Sequence, residues 1–129
     1  MSYYLHFKKG GVPICNYCRT TALYRAFEDL APWGNWEPLT KNHLNCGMEE
    51  VQERNSWLNS RIEQMEKILE GCVDYEDRAD IVGQLYEFKK ELHENEKALT
   101  MIHMLIDIWN EPEFGTESFE SIPMEWGIF

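Results

Sequence analysis

The chain of 129 residues has an apolar fraction of 43% and five tryptophans, a composition that predicts one folded domain and excludes a disordered protein. Its net charge of −11 is unevenly distributed: residues 1–45 carry +2, residues 46–110 carry −8 and residues 111–129 carry −5. The acidic part of the chain repels nucleic acid, so the expected partner is another protein with a basic or mixed surface.

Membrane insertion and secretion both lack support in the sequence. No apolar run approaches the roughly 18 residues of a membrane-spanning helix, and the N-terminus shows no signal-peptide core. Disulfide-rich secreted domains have a cysteine content of about 8–10%, and four cysteines fall well short of that. We therefore expect an intracellular, cytoplasmic protein that does not contact a membrane.

The first 47 residues predict a small base made of short elements. Residues 2–7 are mostly strand formers and are followed by a turn at residues 8–11. A short helix is expected over residues 21–30, with Thr20 or Thr21 as its N-cap. The prolines and glycine of residues 31–40 then indicate a loop.

A heptad pattern of apolar residues fills the following part of the chain and is broken once, at residues 71–74. Apolar side chains recur at alternating steps of three and four, which is typical of a coiled-coil seam. A break this short makes the two helices antiparallel neighbours, so we expect a long helical hairpin over residues 48–110. Asn45 and Asp74 are the expected N-caps of the two helices. The seam comprises Met48, Val51, Asn55, Leu58, Ile62, Met65 and Leu69 on the first helix, and Ile81, Leu85, Phe88, Leu92, Asn95, Leu99, Ile102, Ile106 and Trp109 on the second.

The two seams match in one register, in which the numbers of facing positions add up to 150, as for Leu58 and Leu92. In that register the two polar interruptions, Asn55 and Asn95, face each other. Two facing amides can hydrogen-bond to one another, which offsets the free energy of burying them and pins the register of the helices. The alternative is that one or both amides are exposed to solvent.

Residues 98–109 are apolar on nearly every side, which predicts that this root of the hairpin is buried all round. Only the base and the acidic, aromatic C-terminal arm, residues 111–129, remain to cover it. We expect the arm to dock as an extended segment or as a short strand beside residues 2–7. The expected fold is therefore mainly α with a minor β part, in which residues 1–47 form a base and the helical hairpin projects from it.

A second, weaker apolar stripe is predicted on one flank of the projecting part. By the same register, Trp57 and Ile68 on the first helix lie opposite His93 and Val82 on the second, and Tyr86 lies nearby. Apolar patches on helices mark interfaces, which favours a homodimer or the docking of a partner protein. Two alternatives stay open: the C-terminal arm covers this flank, or these side chains are isolated surface hydrophobes.

Two pairs of metal-binding residue types are spaced alike: Cys15 with Cys18, and His43 with Cys46. Zinc binds four tetrahedral nitrogen or sulfur ligands, and a gap of two residues lets one turn supply two of them. The four side chains are therefore a candidate structural zinc site. The alternatives are reduced cysteines in a small core, with His43 on the surface, or a disulfide between Cys15 and Cys18.

The layout of these pairs resembles the general plan of treble-clef zinc fingers, in which a knuckle supplies the first pair of ligands and the start of a helix supplies the second. The resemblance covers residues 12–50 and implies a structural zinc ion at the root of the hairpin. The chain departs from that plan because the helix predicted over residues 21–30 stands where the plan has a β-hairpin.

Catalytic signatures are weak, because the chain has no phosphate-binding glycine loop and neither His93 nor His103 follows a glutamate by three residues. We therefore expect a non-catalytic, acidic protein–protein interaction module, not an enzyme. One alternative is a small inhibitor that blocks a nucleic-acid-binding cleft of its target, since small acidic inhibitors of the phage type are similar in general character. The other is a zinc-dependent nucleic-acid binder. Its contacts would come from Lys8, Lys9, Arg19, Arg25 and Lys41, with Tyr3, Tyr4 and Tyr17 for stacking.

Overall fold

The structure is a computed structural model that describes residues 3–110 and 124–129. Two long helices pack against each other, and a four-stranded antiparallel sheet has the strand order β2-β1-β4-β3. The prediction of a mainly helical protein with a helical hairpin and a minor β part is therefore confirmed. The elements in chain order are β1 (Tyr4–Lys9), β2 (Val12–Cys18), α1 (Ala22–Phe27), β3 (Glu37–Pro38), α2 (Lys41–Gly71), α3 (Tyr75–Asn110) and β4 (Met124–Ile128).

The N-terminal residues form a β-hairpin, of which only the first strand was predicted. Gly10 and Gly11 fill its two-residue turn with φ of 60° and 78°, a backbone conformation that glycine adopts without strain. The prediction missed β2 because Pro13 and Asn16 are poor strand residues. In the sheet β2 is an edge strand, where the missing N–H of Pro13 is tolerated.

The C-terminal arm ends in a strand that inserts between β1 and β3. Phe7 of β1 pairs with Trp126 of β4, and Leu5 pairs with Ile128. This confirms the expectation that the arm docks as a strand beside the first strand, as far as residues 124–128 are concerned. Residues 111–123 of the predicted arm lie outside the described residues.

The first long helix begins earlier than predicted. Thr40 caps it: its Oγ1 accepts a hydrogen bond from the backbone N–H of His43, and its own N–H donates to Nδ1 of His43. The predicted cap, Asn45, lies within α2 and is exposed. The predicted boundary between base and hairpin at residue 47 therefore falls inside a helix. The reciprocal Thr40–His43 hydrogen bonds cap the N-terminus of α2, which lies more than one helical turn before residue 47.

The N-caps of α3 and α1 match the prediction more closely. Oδ1 of Asp74 accepts a 2.9 Å hydrogen bond from the N–H of Glu76, so Asp74 does cap the start of α3. Thr21 likewise caps α1 by accepting a bond from the N–H of Tyr24. None of the helices in the described part of the chain is both long enough and apolar enough to cross a membrane.

One large core joins the inner face of the sheet, α1 and the root of the hairpin. Ala98, Ile102 and Leu105 of α3 are buried in it beside Phe7 and Trp126 of the sheet. The predicted burial of residues 98–109 is thus confirmed for one side of the helix. It is wrong for the other side, because Met104 is 49% exposed and His103 is exposed. The sheet and α1 cover only the faces of α3 that turn towards them.

The projecting part of the hairpin has its own small core, which is the predicted seam. Ile62 and Met65 of α2 pack with Leu85 of α3, and Leu69, Ile81, Phe88 and Leu92 surround them. Nδ2 of Asn95 donates a 2.9 Å hydrogen bond to Oδ1 of Asn55. The predicted register, with the two amides facing each other, is therefore present in the structure.

Candidate protein-binding site

Ion pairs across the hairpin distinguish its two flanks. On one side Arg54 makes two 3.0 Å hydrogen bonds to the carboxylate of Glu91. On the other side Lys89 pairs with Glu66 at 3.2 Å. We call these sides the Arg54 flank and the Lys89 flank. Helix α1 lies against the Arg54 flank, where Arg25 pairs with Glu94 at 3.7 Å.

The predicted stripe is divided between the two flanks. Trp57 belongs to the Arg54 flank, since the guanidinium of Arg54 lies 4.5 Å from the centre of its ring. Ile68 follows Arg54 by 14 residues, close to four full turns, and therefore lies on the same flank. Val82, Tyr86 and His93 lie seven before, three before and four after Lys89 and share the Lys89 flank. The prediction that all five form one stripe is therefore wrong.

The physical reason is the sense of rotation in an antiparallel pair. Residues whose numbers add up to 150 lie at the same height, and because both helices are right-handed their side chains turn in the same sense along the hairpin. The two seams face each other, so the same turn carries one side chain to one flank and the other side chain to the opposite flank. Away from the seam, two such residues therefore point to opposite flanks. For two residues in contact on one flank, the residue numbers add up to 145 or 155 instead of 150. The total is 145 for Arg54 with Glu91 and for Trp57 with Phe88, and 155 for Glu66 with Lys89.

Trp57 is partly covered within its flank. Its ring meets the ring of Phe88 edge-on at 5.6 Å, and Arg54 covers one of its faces. The side chains of Ile68, Val82 and Tyr86 are more than half exposed, and His93 is exposed as well. The predicted interface residues are thus accessible, on two surfaces.

The turn between the helices carries two apolar side chains that the sequence reasoning did not select. Val73 is 95% exposed and Tyr75 is 85% exposed. A signal was available, because turns are normally polar and this one holds a β-branched and an aromatic residue between acids. Together with Ile68, Val82 and Tyr86, these residues surround the tip of the hairpin.

The tip is also strongly acidic. Residues 63–87 contain eight acids and two bases, a net charge of −6. Both bases have contacts within the tip: Nζ of Lys67 lies 3.6 Å from Glu63, and Nη1 of Arg78 donates 3.1 Å hydrogen bonds to the backbone oxygens of Leu69 and Cys72. The tip therefore combines exposed apolar side chains with unneutralised negative charge.

The four candidate zinc ligands are not assembled in the described structure. Cys15 lies on β2 and packs against the core, whereas the ring of His43 stacks on Trp126 of β4 at 5.0 Å between centres. Strand β1 lies between β2 and β4, which separates their backbones by about 10 Å, and zinc ligands must all lie about 2.0–2.3 Å from one ion. No three His, Cys, Asp or Glu side chains among residues 3–110 and 124–129 are placed to hold a metal ion. The zinc knuckle is not shown.

The remaining properties of these residues fit structural roles. Nδ1 of His43 accepts the bond from Thr40, and Cys46 is exposed on α2. Burial raises the pKa of the Cys15 thiol, so it stays protonated and packs as a small apolar group. A hydrogen bond between Cys18 and Oγ1 of Thr20, 3.1 Å apart, lowers the pKa of the Cys18 thiol. All four cysteines are free thiols in the structure.

The base residues proposed for nucleic-acid contacts are largely engaged inside the protein. Nζ of Lys9 donates to the backbone oxygen of Ile108, and Lys41 lies over the ring of Trp109. Lys8 lies over Trp36 and 3.9 Å from the carboxylate of Glu125. Tyr17 packs against Phe7 on the core side of the sheet, and burial raises its pKa. Lys9 and Lys41 keep their positive charge in these contacts, whereas Glu125 and Glu94 partly offset the charges of Lys8 and Arg25.

Comparisons with known proteins identify no relative of this chain. No family model, curated protein or solved structure matches the chain.

Proposed function

We propose that the protein is a non-catalytic, acidic protein-binding module, in which the sheet and α1 anchor a helical hairpin that docks on another protein. One observation carries this proposal: the projecting half of the hairpin exposes large apolar side chains although its seam is already filled by residues of α2 and α3. Burying apolar surface contributes about 25 cal/mol per Å², so a partner that covers these side chains gains binding free energy.

The test compares the hairpin with the base as the source of binding. A partner recovered from cell extract is purified and titrated against the wild-type protein and against Ile68→Ser with Tyr86→Ser, which changes one exposed residue on each flank. We expect the double variant to bind at least about tenfold more weakly, since interface aromatic residues often contribute more than about 1 kcal/mol. The matched control is Leu30→Ser with Met104→Ser, which removes exposed apolar side chains outside the projecting part.

Equal binding by both double variants, and by Val73→Ser with Tyr75→Ser in the turn, would contradict the proposal. Circular dichroism of each variant checks that the helices are intact. Because the substituted side chains are all exposed, we expect each variant to fold as the wild type does.

Self-association through the hairpin is the form of this proposal that the charge distribution supports least. Two copies that meet through their projecting halves bring −6 close to −6, and like charges near an interface weaken it. We therefore expect a monomer in light scattering at low salt. A dimer that dissociates in the Ile68→Ser, Tyr86→Ser variant would instead identify a second copy as the partner.

A narrower candidate is an inhibitor that occupies a nucleic-acid-binding cleft, and the acidic tip supports it. Such a cleft carries lysine and arginine for phosphates, and the hairpin would fill it with carboxylates. The test is competition: nucleic acid added to the purified complex should displace the protein, and raising the salt should weaken the complex steeply. A complex that nucleic acid leaves intact contradicts this candidate and leaves the general proposal standing.

A further inference from the structure

We infer that the turn at the tip of the hairpin, which carries Val73 and Tyr75, is the docking surface itself, and that its partner is a protein surface with lysine and arginine side chains around an apolar recess. The inference rests on the proposed function and narrows it, since it selects one end of the hairpin and the chemistry of what binds there.

The turn of the hairpin carries two large apolar side chains. Val73 and Tyr75 project from the end of the molecule and are the most exposed large apolar residues of the described chain. A tyrosine supplies a large contact area with few rotatable bonds and a hydroxyl for a hydrogen bond, which is why it is frequent in binding hot spots. An exposed end of this kind fits a recess better than it fits a flat surface.

The negative charge around the turn indicates the chemistry of the partner. The acids of the tip that form no ion pair among the described residues are Glu70, Asp74, Glu76, Asp77, Asp80 and Glu87. They surround the turn, whereas Lys67 and Arg78 are already engaged with groups of the tip. A basic rim complements this charge, and an acidic or neutral surface does not.

The turn is also held in place before binding. The N–H of Cys72 donates a 3.2 Å hydrogen bond to the backbone oxygen of Leu69, and Arg78 bridges the backbone oxygens of Leu69 and Cys72. Asp74 fixes the start of α3 on the other side of the turn. A turn that is already ordered pays less conformational entropy on binding, which favours its use as a rigid insert.

The flanks are weaker candidates than the turn. On the Arg54 flank Trp57 is partly covered by Arg54 and Phe88, and α1 occupies the part nearest the base. On the Lys89 flank the apolar side chains of Val82 and Tyr86 stand one turn apart, with an ion pair directly beside them. Neither flank offers an uninterrupted apolar surface, so the end of the hairpin is the better docking site.

The experiment selects binders from a random peptide library of about twelve residues, with the purified full-length protein as bait. We expect the enriched peptides to combine net positive charge with aromatic or large aliphatic residues. Their affinity should fall at least about tenfold in Val73→Ser with Tyr75→Ser, and also when NaCl is raised from about 50 mM to about 500 mM. The matched control is Met104→Ser, an exposed apolar residue of α3 at the opposite end of the hairpin, which should bind them as the wild type does.

The outcomes separate this inference from the proposal on which it rests. Peptides that are acidic or neutral, or that bind the Val73→Ser, Tyr75→Ser variant unchanged, overturn the turn as docking surface. If those peptides are instead lost in the Ile68→Ser, Tyr86→Ser variant, the hairpin still binds and the proposed function survives. If no hairpin substitution affects any selected peptide, both fail.

Discussion

Nδ2 of Asn95 donates a 2.9 Å hydrogen bond to Oδ1 of Asn55 across the seam of the hairpin. The two residues are not equally buried: Asn95 is only 5% exposed, whereas Asn55 is partly accessible to water. This bond gives the long hairpin one polar layer between apolar layers, and the asymmetry in burial makes its energetic role measurable.

The first prediction concerns this amide pair. Asn55→Leu should destabilise the protein more than Asn95→Leu, because it leaves the buried amide of Asn95 without its partner, a loss of about 1–3 kcal/mol. The double change to leucine should raise the melting temperature above that of the wild type, since two apolar side chains then fill the layer. Thermal unfolding of the two single variants and the double variant checks both statements.

The double variant should also lose some of its specificity for one register or oligomeric state, which light scattering and disulfide trapping across the seam detect. Asn59→Leu, at an exposed position of α2, is the control and should change the melting temperature little. A sharp fall in the melting temperature of the double variant would show that the polar layer is not a register pin.

The second prediction uses two glycines in different surroundings. A methyl group at Gly47 of α2 would overlap the ring of Phe27 of α1, so Gly47→Ala should destabilise the protein by about 1–3 kcal/mol through overpacking. Gly83 lies within α3 with no atom near the position of an added methyl, so Gly83→Ala should stabilise it by up to about 1 kcal/mol through helix propensity. Denaturant unfolding measures both, and a neutral Gly47→Ala would contradict the close packing of α1 on α2.

The third prediction is a pH dependence at Glu50, which lines the cleft between α1 and the hairpin. Burial in the cleft, with a further contribution from Asp29, Glu53 and Glu28, raises the pKa of its carboxyl group in the folded state. The folded protein therefore holds this proton more tightly than the unfolded chain, and stability is lost as the pH rises through the window between the unfolded and folded pKa values.

Glu50→Gln should consequently raise the melting temperature slightly at neutral pH and should not do so below about pH 3, where the wild-type carboxyl is protonated in both states. The effect is small because Glu50, although it lines the cleft, is exposed to water. Glu49→Gln removes the same charge from the neighbouring, exposed position and serves as the control. An equal gain for both variants at every pH would attribute the effect to net charge and not to the cleft.

The fourth prediction addresses metal content. Four zinc ligands must converge on one ion, but Cys15 packs against the core on β2 while His43 stacks on Trp126 and bonds to Thr40. We therefore expect purified protein to hold well under one equivalent of zinc by mass spectrometry of the metal. We also expect the same metal content in Cys15→Ser as in the wild type, and a chelator should not change the melting temperature of either protein. One equivalent of zinc that disappears in Cys15→Ser would establish the zinc knuckle after all.

The sequence by itself determined the helical hairpin, its register and its polar layer. The steps of three and four along α2 and α3 describe a face of each helix, and the short turn forces the two faces together, so residues 55 and 95 could be paired without coordinates. The docking of the arm beside residues 2–7, as an extended segment or a strand, was also predictable, because the base and the arm were the only segments left to cover the apolar root of the hairpin.

Only the tertiary structure decided how surfaces away from the seam are grouped. Trp57 and Val82 were placed on one stripe because height along the hairpin follows from the numbering, but in an antiparallel pair the same rotation carries two facing side chains to opposite flanks. The distance between Cys15 and His43 depended likewise on β1 lying between β2 and β4. Local periodicity fixes which face of an element is buried, whereas the position of one element beside another is set by contacts between residues far apart in the chain.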